Sequence, residues 1–317
     1  MQLVIRPFRL SDVDALSEIA TLSFAEEYEA RGQTAADFNR QIQTATRGRM
    51  IPFKIFSRLA GYTWAIFVAE MGGRIVGCGG YIGRQQVALV NLMVHPHYRR
   101  RGIGQALLQK RLAHLAQSGY PYVTTTVLGT NTASLGNLAK QGFEIFDRYT
   151  VLGKSLMAVS ETAPVASALS THPLTPGDRP TFRAIEAALT SPEQLALEGS
   201  REESYFPPLG QRLLTKLTGG QFWTRAFTHQ GEIVGILASS TSNSQQSGTI
   251  GRPLVTNVHL PHLPAMMQTA ETWLAAQGKT KAQLSAPTDR PRIPQMLQEL
   301  GWAETYTWVR LVKKLSA

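Results

Sequence analysis

Apolar residues follow two different spacings along the first half of the chain. An apolar run broken by Asn91 alone predicts a strand at Val87–Val94, and a second strand is predicted at Tyr122–Val127, which is rich in β-branched residues. Two apolar runs on either side of a Gly72-Gly73 turn predict a hairpin over Trp64–Gly77. Apolar positions at helical spacing predict a helix over Gln105–Ala116. Strands that alternate with helices in this way indicate an α/β (α+β) fold built on a mixed sheet.

The second half repeats the order of the first. Pro7 and Asp12 precede the first predicted helix, with Asp12 as a candidate N-cap, and they correspond to Pro173 and Asp178 before another helix. The further matches are the hairpins 64–77 and 223–235, the latter with a Gly231-Glu232 turn, the helices 105–116 and 265–276, the strands 122–127 and 282–286, and the pairs Gly142-Phe143 and Gly301-Trp302. An ordered set of this length predicts duplication of a whole domain rather than a solenoid.

The repeat sets the predicted domain boundaries. We expect a first domain over residues 1–155, a linker over 156–170 and a second domain over 171–317. The linker is rich in Ala, Ser and Val, and it either joins the domains or extends a strand between them. Residues 25–62 have no counterpart in the repeat. They predict either a pair of surface helices packed through their apolar faces or a lid beside a substrate site.

Composition excludes several classes of protein. A length of 317 residues accommodates two domains. The single cysteine, Cys78, excludes a disulfide within the chain and a cysteine-based zinc site, and we predict that it is a small core residue. The N-terminal sequence lacks a secretory signal, and no apolar run approaches the length of a membrane span. We therefore expect a cytoplasmic protein without a membrane partner.

Positive charge is concentrated in the first half. Residues 1–155 hold 18 Lys and Arg against 10 Asp and Glu, a net of +8, whereas residues 156–317 hold 14 against 12, a net of +2. The densest cluster is Arg99-Arg100-Arg101. Because the sequence shows neither a basic stripe interleaved with aromatics nor a helix-turn-helix pattern, we expect a small polyanionic ligand and no nucleic acid.

The arginine cluster lies between the predicted strand Val87–Val94 and the predicted helix Gln105–Ala116. Residues 94–104 have the sequence Val-His-Pro-His-Tyr-Arg-Arg-Arg-Gly-Ile-Gly. The first N–H groups of a helix have no intrahelical partner and can bind a phosphate. Glycines allow the ligand close to the backbone, and arginines add fixed positive charge. This segment therefore predicts a site for a phosphorylated ligand.

Three motifs of the first half together resemble the GNAT acyltransferase superfamily. They are Arg99-x-x-Gly102-x-Gly104 between strand and helix, the opening Ile5-Arg6-Pro7-Phe8-Arg9-Leu10-Ser11-Asp12, and Asn131 followed by Lys140-Gln141-Gly142-Phe143. The resemblance covers about residues 1–150, and the second half resembles a degenerate copy. It implies two tandem GNAT-like domains, each a mixed central sheet flanked by helices, with fourth and fifth strands that splay apart in the first.

The resemblance also implies acetyl-CoA as co-substrate. Its pantetheine arm is expected between the splayed strands, its pyrophosphate on the arginine-rich turn, and its thioester carbonyl near a backbone N–H of Met93 or Val94. Asn131 matches a position that contacts the cofactor arm, and it is also a candidate helix N-cap. The expected cofactor-binding residues are Leu92, Met93, Val94, Arg99, Arg100, Arg101, Gly102, Ile103, Gly104, Gln105 and Asn131.

The chain departs from the family pattern at the groups that handle protons. Many members carry a tyrosine seven residues after the asparagine as general acid, where this chain has Leu138, and many carry a glutamate on the fourth strand, where Asn91 is the sole polar residue. Catalytic candidates are therefore weak, and each is also explained as an ordinary surface or packing residue. The first candidates are Tyr149, Glu26, Glu27 and Asn91, and Tyr98 and Asp147 are weaker ones. His95 and His97 are interpreted as structural residues.

The second half lacks the phosphate-binding turn. Its counterpart, His259–Ala265, contains neither glycine nor arginine, and its two prolines remove backbone donors. The histidines nearby lack the carboxylate or cysteine spacing of a metal site, so no metal is expected.

The sequence therefore predicts an N-acetyltransferase that moves an acetyl group from acetyl-CoA to a primary amine by direct attack in a ternary complex. The acceptor is expected to be a small molecule or a peptide, and the protein a monomer or homodimer. The alternative is a non-catalytic acyl-CoA-binding or regulatory module.

Overall fold

Residues 2–23, 62–83, 86–157, 169–217, 219–242 and 246–315 are described in a computed structural model. The chain divides into two units, Met1–Asp147 with Val309–Ala317, and Arg148–Trp308. The end of the chain thus belongs to the first unit, where Val309 and Leu311 are core residues. The predicted linker stays a prediction because residues 158–168 lie outside the described ranges.

The first unit follows the predicted order of elements. Its strands and helices are β1 (Leu3–Pro7), α1 (Val13–Ser23), β2 (Thr63–Met71), β3 (Arg74–Gly83), β4 (Val87–Val94), α2 (Ile103–Gln117), β5 (Tyr122–Leu128), α3 (Thr132–Lys140) and the start of β6 (Glu144–Ser155). Strands β1 to β4 pair antiparallel in sequence order, and β5 pairs parallel to β4. The predicted bounds of β4 are confirmed at both ends, and Gly72 and Gly73 form the predicted hairpin turn at φ of 58° and 79°.

Helices α1 and α2 pack on opposite faces of this sheet. Phe67 belongs to the core that contains the leucines of α2, whereas the next residue, Val68, belongs to the core that contains Leu16 and Ile19 of α1. Successive side chains of a strand point to opposite faces, so the two cores lie on the two sides of the sheet. Strand β4 is therefore covered from both sides.

Asp12 immediately precedes α1, at the position where the sequence predicts an N-cap, but its side chain bonds to earlier residues. It ends a 3-10 turn, Leu10–Asp12, and its carboxylate accepts bonds from the Arg9 backbone N–H at 2.7 Å and from Arg6 at 2.8 and 2.9 Å. The Arg6 guanidinium holds the pKa of Asp12 below its ordinary value. Asp178 makes the equivalent turn in the second unit, where its carboxylate accepts the Thr175 backbone N–H at 2.7 Å. The repeat thus extends to side-chain hydrogen bonds.

The second unit repeats the arrangement. After the remainder of β6 its elements are β7 (Ser170–Pro173), α4 (Arg179–Leu189), α5 (Pro192–Glu198), α6 (Glu202–Tyr205), α7 (Leu209–Leu217), β8 (Gln221–His229), β9 (Glu232–Thr241), β10 (Ser247–Ile250), α8 (Leu263–Ala276), β11 (Lys281–Pro287), α9 (Arg292–Glu299) and the start of β12 (Ala303–Lys314). Strands β7 to β10 pair antiparallel, and β11 is parallel to β10. The turn between β8 and β9 is Gln230-Gly231, at φ of 51° and 85°, rather than the predicted Gly231-Glu232, because Glu232 already begins β9.

Candidate active site

A β-bulge interrupts β4 in its middle. Gly80 pairs with Val90 and Cys78 pairs with Met93, so Asn91 and Leu92 together face the single residue Gly79. Asn91 adopts a left-handed backbone conformation, with φ at 53°. A bulge leaves its extra residue outside the ladder, which makes backbone groups available to a ligand. This bulge was missed by sequence reasoning, which predicted an uninterrupted strand.

The pattern of buried side chains along β4 shows the same interruption. Val87 and Leu89 pack in the α2 core, and in a regular strand Met93 would follow them to that face. Met93 instead packs against α1, and Leu92 and Val94 contact the α2 core. The bulge therefore reverses which side chains face which helix, immediately before the arginine-rich turn.

Strands β4 and β5 pair over a short length. Their register comprises the pairs Ala88–Thr124 and Leu89–Thr125, and β4 continues to Val94 beyond them. The Thr125 hydroxyl adds a 3.2 Å bond to the Leu89 carbonyl. The expected splay of the two strands past this point stays a prediction.

The turn after β4 presents backbone N–H groups at the start of α2. Arg100 and Gly102 both have positive φ, at 62° and 76°, and Gly102 is the N-cap residue. The first helical bond runs from Ala106 N–H to the Gly102 carbonyl at 2.9 Å, so the N–H groups of residues 103–105 have no acceptor within the helix. Backbone N–H groups left without an acceptor at a helix start can bind an anion.

Gly104 has space for a side chain. A Cβ built there would meet the Val94 side chain at 3.7 Å, an ordinary contact, and its φ is not in the left-handed region. Neither packing nor backbone conformation therefore requires glycine at this position. A ligand that closely approaches the first turn of α2 would require it.

The arginines of the turn are exposed and differ in their contacts. Arg99 donates from Nε to the Val94 carbonyl at 3.2 Å, so it bridges the end of β4 to the turn. Arg101 stacks over the Tyr98 ring at 5.3 Å. His95 caps the short 3-10 turn, because its Nδ1 accepts the His97 backbone N–H at 3.3 Å. Its structural role agrees with the interpretation from the sequence.

A cavity of about 650 Å³ lies between the arginine-rich turn and the start of β3. Its polar lining consists of Glu18, Arg74, His95, His97, Tyr98 and Arg101. Among its described lining residues none belongs to β5 or α3. This cavity is therefore distinct from the predicted opening between β4 and β5.

Asn131 and Leu138 lie at the two ends of α3. The Asn131 side chain accepts the Ser134 backbone N–H at 3.0 Å, which confirms the predicted N-cap. Leu138 is 4% exposed and packs in the α2 core. Because a leucine side chain has no acidic proton, position 138 cannot supply a general acid.

The catalytic candidates are placed very differently. Asn91 is exposed at the bulge of β4. Tyr149 belongs to the second unit, where it pairs with Pro287. Asp147 is engaged by Arg310 at 3.4 Å, with 6% of its side chain exposed, which favours a structural role. Glu26 and Glu27 lie outside the described residues.

The second unit has a different structure where the first has its turn. A 3-10 helix, Asn257–His262, runs directly into α8 and contains Pro261, and Pro264 follows in the first turn of α8. His262 lies 4.9 Å from the ring of His229, and burial together with that neighbour lowers its pKa. Across the described ranges no cluster of three or more His, Cys, Asp or Glu could hold a metal ion.

Comparison with known proteins agrees with this arrangement. The model of the Acetyltransferase (GNAT) family matches residues 16–143. Acetyltransferase SG1711 of Sodalis glossinidius (strain morsitans) is 38% identical over 96 residues, which are 30% of this chain and 67% of that protein. Acetyltransferase ECA0875 of Pectobacterium atrosepticum is 40% identical over 92 residues, 28% of this chain and 64% of that protein. The chain thus spans about two thirds of each relative.

Two solved structures extend the likeness to both halves. A tandem GNAT protein from the clavulanic acid biosynthesis pathway has a TM-score of 0.66 at 16% identity, over 100% of this chain and 99% of that one. A GCN5-related N-acetyltransferase from Sphaerobacter thermophilus has a TM-score of 0.65 at 17% identity, over 99% and 96%. At these identities the likeness shows the fold, which is that of a tandem GNAT protein.

The chain belongs to the GNAT acetyltransferase family. Its two halves have the tandem form of that fold. Within the described segments, no helix is both long and apolar enough to span a membrane.

Proposed function

We propose that this protein is an N-acetyltransferase that moves the acetyl group of acetyl-CoA to a primary amine by direct attack in a ternary complex. The observation that carries the proposal is the bulge of β4, followed within ten residues by the anion-binding turn that begins α2. The bulge frees backbone groups for an acyl carbonyl, and the turn supplies N–H groups for a pyrophosphate. One strand thus joins the two recognition elements that a CoA thioester needs.

The residues of the turn fit the cofactor. The space at Gly104, the free N–H groups of residues 103–105 and the exposed arginines 99–101 suit a doubly charged diphosphate. Backbone of Leu92, Met93 and Val94 would pair with the pantetheine arm, and Asn131 would contact it from the start of α3. An N–H of Met93 or Val94 would polarise the thioester carbonyl.

The reaction needs little acid–base assistance from side chains. The neutral amine attacks the thioester carbon, the C–N bond forms as the C–S bond breaks, and the departing thiolate takes up a proton while the amine nitrogen loses one to water or a base. The thiolate of CoA is a tolerable leaving group even without a general acid. Leucine at position 138 therefore lowers the rate without preventing the reaction.

A non-catalytic acyl-CoA-binding or regulatory module is the second candidate. It is favoured by the buried Leu138 and by a fourth strand whose polar residue is an asparagine. This candidate predicts acetyl-CoA binding without turnover.

Release of free CoA from acetyl-CoA distinguishes the two candidates. We expect amine-dependent CoA release with at least one member of a panel of small amines, lysine peptides and N-terminal peptides, with equimolar acetylated product identified by mass spectrometry. The variant Gly104→Glu, changed in the anion-binding turn, serves as the negative control. Tight acetyl-CoA binding with no product across the panel would favour the module.

A further inference from the structure

Arg111, on the face of α2 that packs on the sheet, is a buried cation. It is 1% exposed. Its guanidinium donates to three backbone carbonyls, those of Leu107 at 3.3 Å, Gly80 at 3.1 Å and Val90 at 3.4 Å. No carboxylate among the described residues forms an ion pair with it. Its charge is therefore satisfied by the backbone of the helix and of two strands.

The guanidinium lies at the bulge of β4. Gly80 and Val90 are the last regular pair before it, and Gly79 is the residue that faces Asn91 and Leu92. A Cβ on Gly79 would approach the Arg111 Cζ, Nε and Nη1 atoms at 3.0 to 3.2 Å. The guanidinium thus occupies the space that the missing side chain of Gly79 leaves, and it supplies bonds where the ladder is interrupted.

Burying the Arg111 cation on this face of α2 costs free energy of folding, and the fold does not require a cation here. Desolvation lowers the pKa of Arg111 to about 10, and burying an unpaired charge is unfavourable. The matching C-terminal bonds of the two helices, Gly119 N–H to Ala116 and Gly278 N–H to Ala275, align Arg111 with Ala270 of α8, which is also buried. The unit without the anion-binding turn therefore has a small apolar residue, and no buried cation, at the equivalent position.

We propose that Arg111 is a positioning residue of the acetyl-transfer site. Its guanidinium fixes the β4 bulge and so orients the backbone of Leu92–Val94 toward the thioester carbonyl. The predicted effect of Arg111 on catalysis rests on the proposed function. The predicted restraint of the bulge by Arg111 does not depend on turnover.

Cys78 provides a local probe of the bulge. It is the single cysteine of the chain, it is 2% exposed, and its Sγ lies 3.8 Å from the Asn91 carbonyl oxygen. Burial raises the pKa of its thiol to about 12. A thiol reagent therefore reacts with Cys78 only when this part of the sheet opens.

The test compares Arg111→Met with Arg111→Lys. In Arg111→Met we expect faster hydrogen–deuterium exchange in peptides covering residues 87–94 and at least about tenfold faster labelling of Cys78. We expect kcat to fall about 10- to 100-fold, as misplacement of a reacting group by about 1 Å does. The KM for acetyl-CoA should change less than about threefold, since the phosphate-binding turn is intact. Arg111→Lys, which keeps a donor cation, should recover most of the loss.

Two further variants separate positioning from general destabilisation. Leu115→Ala removes a fully buried side chain near the far end of α2 and should lower the unfolding temperature without changing exchange at 87–94. Gly79→Ala displaces the guanidinium without removing it and should reproduce the effects of Arg111→Met. If Arg111→Met does not fold, Gly79→Ala still tests the proposal. Gly136→Ala, where nothing lies within 4 Å of the added methyl, is its control.

The proposal is overturned if Arg111→Met or Gly79→Ala exchanges at 87–94 as wild type does. It is also overturned if kcat falls no further than in Leu115→Ala at a matched loss of stability. If wild type shows no turnover at all, the proposed function fails, and exchange and labelling still decide whether Arg111 restrains the bulge.

Discussion

Gly104→Glu should abolish acetyl-CoA binding by the whole chain, with the dissociation constant raised at least about 100-fold. The new carboxylate would stand in the first turn of α2, where the space at Gly104 is open and the N–H groups of residues 103–105 have no acceptor within the helix. It would satisfy those donors itself and repel the diphosphate. An acidic residue at a helix N-terminus is stabilising by about 0.3–1 kcal/mol, so the variant should fold normally.

Gly136→Ala is the matched control for this substitution. Gly136 lies inside α3 with nothing within 4 Å of an added methyl group, so alanine there should leave binding unchanged. It should raise helix stability by about 0.5–1 kcal/mol. Equilibrium dialysis with labelled acetyl-CoA measures both variants. A Gly104→Glu protein that retains wild-type affinity would show that the diphosphate binds elsewhere.

Glu271→Ala should destabilise the second unit by about 3–5 kcal/mol, because one partner of a buried ion pair is removed. Glu271 accepts a bond from the Lys154 ammonium at 2.7 Å and another from the Trp302 indole N–H at 2.9 Å, and Trp302 is 2% exposed. Alanine would leave a cavity, a poorly solvated cation and an unsatisfied indole donor. Urea denaturation followed by circular dichroism measures the loss.

Two companion variants show which interaction causes that loss of stability. Glu271→Gln keeps an acceptor for the indole, so it should cost less than alanine. Glu299→Ala, an exposed position on α9, should change stability by less than about 0.5 kcal/mol. If Glu271→Ala were as stable as Glu299→Ala, the buried pair would not support this core.

Regular elements could be predicted from the sequence because local pattern determines them. Strand β4 was predicted with both ends correct, and helix α2 began within two residues of its predicted start. The repeat was also recognisable, since the apolar spacing and the turn glycines recur in one order. The turn at Gly102 was visible because only glycine adopts its left-handed conformation at little cost.

Features that depend on tertiary contacts could not be predicted. The bulge at Asn91 lies in the sequence Val-Ala-Leu-Val-Asn-Leu-Met-Val, which contains no glycine, although asparagine tolerates a left-handed conformation better than most residues. Arg111 appears in the sequence as one of many polar helix residues, because its partners are backbone carbonyls far along the chain. Asp12 holds the predicted position before α1, but its carboxylate bonds to the Arg9 N–H of the preceding 3-10 turn.

Isothermal titration of the 317-residue chain with acetyl-CoA counts its cofactor sites. One site is expected in each chain, at the turn of the first unit, because the second unit has prolines and no glycine or arginine where that turn would be. We therefore expect a stoichiometry of one, and no binding heat in Gly104→Glu. Two equivalent sites per chain, or binding that survives in Gly104→Glu, would contradict a single cofactor site at this turn.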